Sequence, residues 1–105
     1  MSDTYYVQVK GNEFQEIEGQ KVMIKDIECF IHKSLMDDNY WTITEAKSGM
    51  AVTQNFKFKK DAINDATRLI EKYHDNLKNQ IAEMESAGKI SPRYAQQPIA
   101  TTFPY

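Results

Sequence analysis

From Lys59 to about position 87 the chain repeats apolar side chains at steps of three and four: Ala62, Ile63, Ala66, Leu69, Ile70, Tyr73, Leu77, Ile81 and Met84. That spacing marks one face of an α-helix. The other face carries Asp65, Arg68, Lys72, Asp75, Lys78, Asn79, Glu83 and Glu85. Within it Asp65 and Arg68, and Asp75 and Lys78, stand three apart and can pair. Gly88 supplies a stop and Pro92 forbids continuation. No Ser, Thr, Asp or Asn directly precedes Lys59, which leaves the N-cap undetermined. A helix of about 28 residues is about 42 Å long, whereas a strand of about six residues covers about 20 Å. The helix is therefore about twice as long as the strands that precede it. Its second half, with Leu77, Ile81 and Met84, needs a further apolar surface: a tail folded back, a second subunit or a docked partner.

The residues before the helix read as strands. Tyr5 to Lys10 alternates, with Tyr5, Val7 and Val9 on one face and Tyr6, Gln8 and Lys10 on the other. Gly11-Asn12 is a two-residue hairpin signal. Glu13 to Ile17 is a polar, edge-like strand, and Glu18-Gly19-Gln20 reads as a second turn. From Val22 to Leu35 the phase of the alternation slips at Lys25-Asp26, where a bulge or bend fits. Ile27, Phe30, Ile31, Ser34 and Leu35 also match helical spacing, so helix stays open here; β-branched and aromatic enrichment favours strand. Asp37-Asp38-Asn39 is a turn. Tyr40 to Glu45 and Ala51 to Phe56 form two further strands around a loop at Lys47-Ser48-Gly49. Tight turns between neighbours imply antiparallel pairing.

The expected fold is α+β: an antiparallel meander of four to six strands, with one long C-terminal helix packed on one face. Residues 1–88 form a single domain in this reading, and 89–105 an extended tail holding all three prolines. The expected core is Val7, Val9, Ile27, Ile31, Ile43, Val52, Ala62, Ala66, Leu69, Ile70 and Tyr73. Trp41 is expected to pack on the helix around Leu69 and Tyr73, and Phe56 and Phe58 to anchor the crossing from strand to helix. The tail keeps Ile90, Tyr94, Ile99, Phe103 and Tyr105, more apolar groups than a pure linker carries.

Composition narrows the function classes. The chain has 13 basic and 15 acidic side chains, a net charge of −2, whereas dedicated nucleic-acid binders usually show a basic surplus. No apolar run approaches the ~18 residues of a membrane span, so no membrane partner is expected. The opening Met1-Ser2-Asp3-Thr4 has neither the basic nor the apolar region of a secretory signal. A lone Cys29 excludes an internal disulfide or a multi-cysteine zinc site. A cytoplasmic setting is expected.

Catalytic constellations are not found. On a strand, Cys29 and His32 point to opposite faces and cannot form a nucleophile–base pair, whereas on a helix they would share a face; Cys29 reads as a small core residue. His74 has no ligand partner at i+4, since position 78 is Lys. Asp37-Asp38-Asn39 lacks the spacing of a calcium loop. Glu13, Glu16 and Glu18 cluster in a polar hairpin. No glycine-rich phosphate loop occurs. The expectation is a protein without catalytic residues, metal or cofactor. An enzyme would need an unrecognised site among His32, Asp37, Asp38 and His74.

Two surfaces remain as candidates. Leu77, Ile81 and Met84, with Tyr94 and Phe103 of the tail, form a candidate interface, for which a homodimer is expected. Lys57, Lys59 and Lys60, interleaved with Phe56 and Phe58, form a candidate patch for nucleic acid or another anion. The stretch Trp41–Lys72, WTITEAKSGMAVTQNFKFKKDAINDATRLIEK, resembles a pattern in small accessory proteins of phages and other mobile elements. Trp41, Gly49, Lys59, Lys60, Asp61, Ala62 and Ile63 carry it, over about a third of the chain. The resemblance implies a strand–strand–helix unit and, because many such proteins bind and block or recruit host proteins, a host or phage protein as partner. The functional expectation is a non-enzymatic protein-interaction protein. The alternatives are a nucleic-acid-binding module and a protein that sequesters a small ligand or nucleotide.

Overall fold

A computed structural model describes residues 2–10 and 13–94. Five strands precede one helix: β1 (Asp3–Lys10), β2 (Glu13–Ile24), β3 (Ile27–Lys33), β4 (Trp41–Glu45), β5 (Ala51–Phe56) and α1 (Lys59–Ser86). The strands form one antiparallel sheet in sequence order, the expected α+β meander with its long helix. The expected Gly11-Asn12 turn lies outside the described residues.

Two turns differ from the sequence expectation, for one reason. Glu18-Gly19-Gln20 is not a turn; β2 runs through it for 12 residues. The slip at Lys25-Asp26 is not a bulge but the hairpin turn itself, with Ile24 paired to Ile27 and Lys25 at φ 55°. Polar residues and a glycine signal a turn by composition, yet a glycine within a strand often marks a close approach by another group. At Gly19 that group is Phe30. A Cβ there would lie 2.6 Å from the Phe30 ring and 3.3 Å from the Ile31 carbonyl oxygen.

Gly19 is also where β2 changes partner. Residues 13–19 pair with β1, and 20–24 with β3. A strand this long coils rather than lying flat, and the β1–β2 hairpin folds over the sheet face opposite the helix. Tyr5 of β1 consequently stacks on Phe30 of β3, with ring centroids 4.2 Å apart and planes 7° from parallel. The Gln8 N–H donates to the Gly49 carbonyl at 2.8 Å, bringing β1 to the β4–β5 turn.

The sheet thus has two cores. On the helix side Ile24, Ile27, Cys29, Ile31 and Ile43 pack against Ala62, Ala66, Ile70 and Ile81. On the other side Tyr5, Val7, Phe30 and Ala46 pack with Ile17 and Tyr94. Val52 and Leu69 are half-buried. Val9, at 45% exposure, and Tyr73, at 47%, are surface residues rather than core, the first beyond the reach of the curled face and the second at a bend.

α1 starts at Phe58, an N-cap with extended φ and ψ and no side-chain capping bond. Phe58 is 66% exposed, so only Phe56 anchors the crossing. Trp41 lies across from Phe56, beneath the start of the helix, where the Lys59 ammonium sits 4.6 Å from its ring. The helix bends at Tyr73 (φ −115°, ψ 25°). Beyond the bend, His74 and Lys78 bond the two oxygens of Asp26 in the β2–β3 turn, at 2.6 and 2.7 Å. Lys78 thus reaches across to Asp26 rather than pairing with Asp75, while Asp65 and Arg68 do pair, at 2.8 Å. At the end, Gly88 takes φ 71°, and the Lys89 and Gly88 amides donate to the Met84 and Glu85 carbonyls, a left-handed cap that only glycine adopts freely. The chain then folds back: Ile90 and Ser91 are buried, and the Ser91 N–H donates to the Lys47 carbonyl at 2.7 Å.

Candidate interaction groove

On both sides of the Tyr73 bend, α1 and β5 leave a gap between them. A groove of about 370 Å³ lies between them, walled by Val52, Leu69, Ile70, Leu77 and Ile81 and rimmed by Tyr73 and Met50. Asn76 and Gln80 add amides at its helix side. The three- and four-residue steps of α1 aim Leu69, Ile70, Leu77 and Ile81 at β5, whose irregular register turns both Ala51 and Val52 toward them.

The groove's one ionisable lining group besides the Tyr73 phenol is the buried Glu45. Its carboxylate is engaged in building the β4–β5 turn: Oε2 accepts the Lys47 N–H at 2.9 Å and Oε1 the Ser48 N–H at 2.8 Å. Cys29, paired across from Glu45, is fully buried. Burial, then the charges of Glu45 and Glu28, push its thiol up to about 12. A thiol so held stays protonated at neutral pH and is a poor nucleophile.

The other titratable groups are dispersed. His32 faces the curled side, buried, with Nδ1 2.8 Å from the Lys33 carbonyl and Nε2 2.7 Å from the Thr44 hydroxyl. A carbonyl only accepts, so Nδ1 carries the proton and Nε2 accepts from Thr44. Burial holds this imidazole below its ordinary pKa. His74 sits on α1, and the Asp37 carboxylate accepts the Asn39 N–H in an exposed loop; the structure does not gather the residues an enzyme reading required. No group of three or more His, Cys, Asp or Glu able to hold a metal occurs among the described residues, nor does any helix there have the length and apolarity to cross a membrane.

The residues of the first candidate surface separate. Leu77 and Ile81 line the groove, Ile81 also packing into the helix-side core. Met84 is half-buried one turn further on. Tyr94 lies on the other face, against Tyr5, and Phe103 is outside the described residues. Arg93 holds Tyr94 there: its guanidinium covers the Tyr5 ring at 4.2 Å, its Nε donates to the Tyr94 hydroxyl at 3.0 Å, and its Nη1 donates to the Thr4 carbonyl. Nothing in the spacing of the tail marks Arg93, because Thr4 and Tyr5 are some ninety residues away in sequence.

On the basic patch, Lys57 and Lys60 are exposed. Lys59 donates to the Gln20 side chain at 3.2 Å and shares the Trp41 ring with Lys33, whose ammonium is 4.7 Å from its centroid. Lys33 belongs to this patch, and only the β3–β4 register brings it there. No family model, no curated protein and no solved structure matches the chain.

Proposed function

We propose that the chain is a non-enzymatic protein-interaction protein, acting on a host or phage protein as the small mobile-element proteins it resembles do. The observation that carries this reading is the α1–β5 groove: about 370 Å³, apolar on both walls, and opening beside an exposed tyrosine and methionine. Apolar concavities with an aromatic rim are where a partner's anchoring side chains gain most from leaving water. The dispersed acids and imidazoles, and a thiol held protonated, favour binding over catalysis.

The test pairs capture with rim substitutions. Full-length protein is used as bait beside Tyr73→Glu and Met50→Glu, which alter exposed side chains and should leave the melting temperature unchanged. The expected outcome is one partner, or a second copy of the chain, retained stoichiometrically by the native protein and lost from both variants. Retention unaffected by either substitution would sink the reading. Nucleic acid retained in place of protein, released by salt and by replacing Lys57, Lys59 and Lys60, would move the assignment to the basic patch.

A further inference from the structure

The curled face of the sheet has a cavity of its own, across the sheet from the α1–β5 groove. Its volume is about 230 Å³, and it lies between β1 and the β4–β5 pair. Alternation along β4 turns Thr42 and Thr44 to this side, since Trp41 and Ile43 pack on the helix side. Val7 and Val9 of β1, and Leu35 of the β3–β4 loop, give it apolar walls. Val9 and Leu35 are about half exposed, so the mouth opens between them.

One polar group in this cavity is unanswered. Thr42 is only 6% exposed, and among the described residues its hydroxyl has no hydrogen-bond partner. Thr44, one pleat further along, is engaged: its hydroxyl donates to His32 Nε2 at 2.7 Å, which leaves its oxygen free only to accept. Buried hydroxyls are bonded in the great majority of folded proteins, because desolvating one without a partner is costly. Thr42 therefore marks the end of the cavity where the polar group of a ligand belongs.

The lining says what kind of ligand fits. It has no acidic or basic residue apart from His32, and burial holds that imidazole below its ordinary pKa. A charged ligand would lose its hydration there and meet no counter-charge. The polar group must be neutral, must accept from Thr42 and must donate to the Thr44 oxygen; a hydroxyl does both. For size, an apolar cavity of about 150 Å³ takes benzene, so this one has room for a ring with a hydroxyl and a short substituent. A ring also has few rotors to immobilise on binding.

We propose that this cavity binds an uncharged phenolic ring, with its hydroxyl directed at Thr42 and Thr44 and its ring against Val7, Val9 and Leu35. A free phenol and the tyrosine side chain of a peptide supply the same chemistry. The site goes beyond the interaction reading, which rests on the opposite face.

The experiment is a methyl-resolved NMR titration of the full chain with para-ethylphenol, ethylbenzene and para-ethylbenzoate. Para-ethylphenol is expected to bind saturably, moving the methyl signals of Val7, Val9, Leu35, Thr42 and Thr44 and leaving those of Leu77 and Ile81 in place. Ethylbenzene lacks the hydroxyl and para-ethylbenzoate carries a charge; each should bind at least about tenfold more weakly. Thr42→Val keeps the shape and removes the hydroxyl. It should weaken para-ethylphenol about tenfold and leave ethylbenzene unchanged, without lowering the melting temperature. Val9→Phe alters an exposed side chain at the mouth and should block every probe. No shift of these methyls with any probe, equal affinity for para-ethylphenol and ethylbenzene, or unchanged para-ethylphenol affinity in Thr42→Val would each overturn the proposal. So would shifts confined to Leu77 and Ile81, which would put the phenol in the groove. N-acetyl-tyrosinamide separates the two sources: tighter binding than para-ethylphenol assigns the ring to a peptide, weaker binding to a free phenol, and either supports the phenolic chemistry. No readout involves a captured partner, so this site and the interaction reading can fail separately.

Discussion

The two faces of the sheet are held by different chemistry. The helix face is aliphatic: Ile24, Ile27, Ile31, Ile43 and Ile70 interlock with Ala62 and Ala66, and small helix residues let α1 lie close. The curled face depends on one aromatic stack, Tyr5 on Phe30, with polar groups around it that must all be bonded: Tyr5 to Glu28, His32 to Thr44, and Arg93 to Thr4 and Tyr94. Aliphatic packing is additive and forgiving of shape, whereas a stack with a satisfied polar rim depends on geometry. The helix face therefore sets how much the fold is stabilised. The curled face sets where the β1–β2 hairpin goes, and with it the gap beside β5.

The sharpest way to break this comparison is to remove one large residue from each face. Phe30→Ala is expected to cost about 3–5 kcal/mol and Ile70→Ala about 2–5 kcal/mol. Both side chains are almost fully buried. The distinction lies in what else changes. Phe30→Ala should also release β1, speeding exchange of the Tyr5 and Val7 amides toward local unfolding; Ile70→Ala should leave those amides tied to global stability. Chemical denaturation with residue-resolved exchange measures both. If the β1 amides respond alike to both substitutions, the two faces form one cooperative unit.

A smaller perturbation addresses the hinge. Gly19→Ala places a methyl 2.6 Å from a ring that is itself stacked and cannot step aside. About 1–3 kcal/mol of destabilisation is expected. The companion Gly19→Ala, Phe30→Leu should recover part of the cost of the glycine change, a coupling readable in a double-mutant cycle of melting curves. Additive losses would mean that Gly19 matters for its backbone alone.

These substitutions also show why one face was legible in the sequence and the other was not. The helix and its partner residues follow from periodicity: Ala62, Ala66 and Ile70 at helical steps, Ile27, Ile31 and Ile43 at strand steps. Periodicity assigns residues to faces, but it does not report curvature. At Gly19 β2 passes from β1 to β3, and by composition Glu18-Gly19-Gln20 is indistinguishable from a turn. The alternation of β1 places Val9 on the core face, while the cover ends at Val7. For the groove, Leu77 and Ile81 were legible from the excess length of the helix. Met50 on its opposite wall and the bend at Tyr73 beside it were not, since no proline or glycine marks the bend. Arg93 and Lys33 act through contacts that only the folded topology creates.

The subtlest test separates the faces by pH, because their titratable groups answer in different windows. On the curled face, burial depresses the His32 pKa. The unfolded chain, with an imidazole near about 6.5, binds a proton before the folded one does. Stability should therefore be full above about pH 6.5 and fall as pH drops from there toward the depressed folded value. On the helix side, Asp26 is held low by its bonds to Lys78 and His74, and Asp65 by its bonds to Thr53 and Arg68. Carboxylates with lowered folded pKa values stabilise above their unfolded value of about 4, and that stabilisation is lost only as pH falls below it. Both carboxylates are solvent-facing, so their share is screened by salt, while that of the buried His32 is not. Denaturation midpoints followed from pH 8 to 3 at low and high salt should show two limbs: a salt-insensitive one beginning near about 6.5 and a salt-sensitive one beginning near about 4. His32→Gln keeps an amide in place of the ring and should abolish the upper limb alone. An upper limb that survives this substitution would assign the titration to another group and remove His32 as the reporter of the curled face.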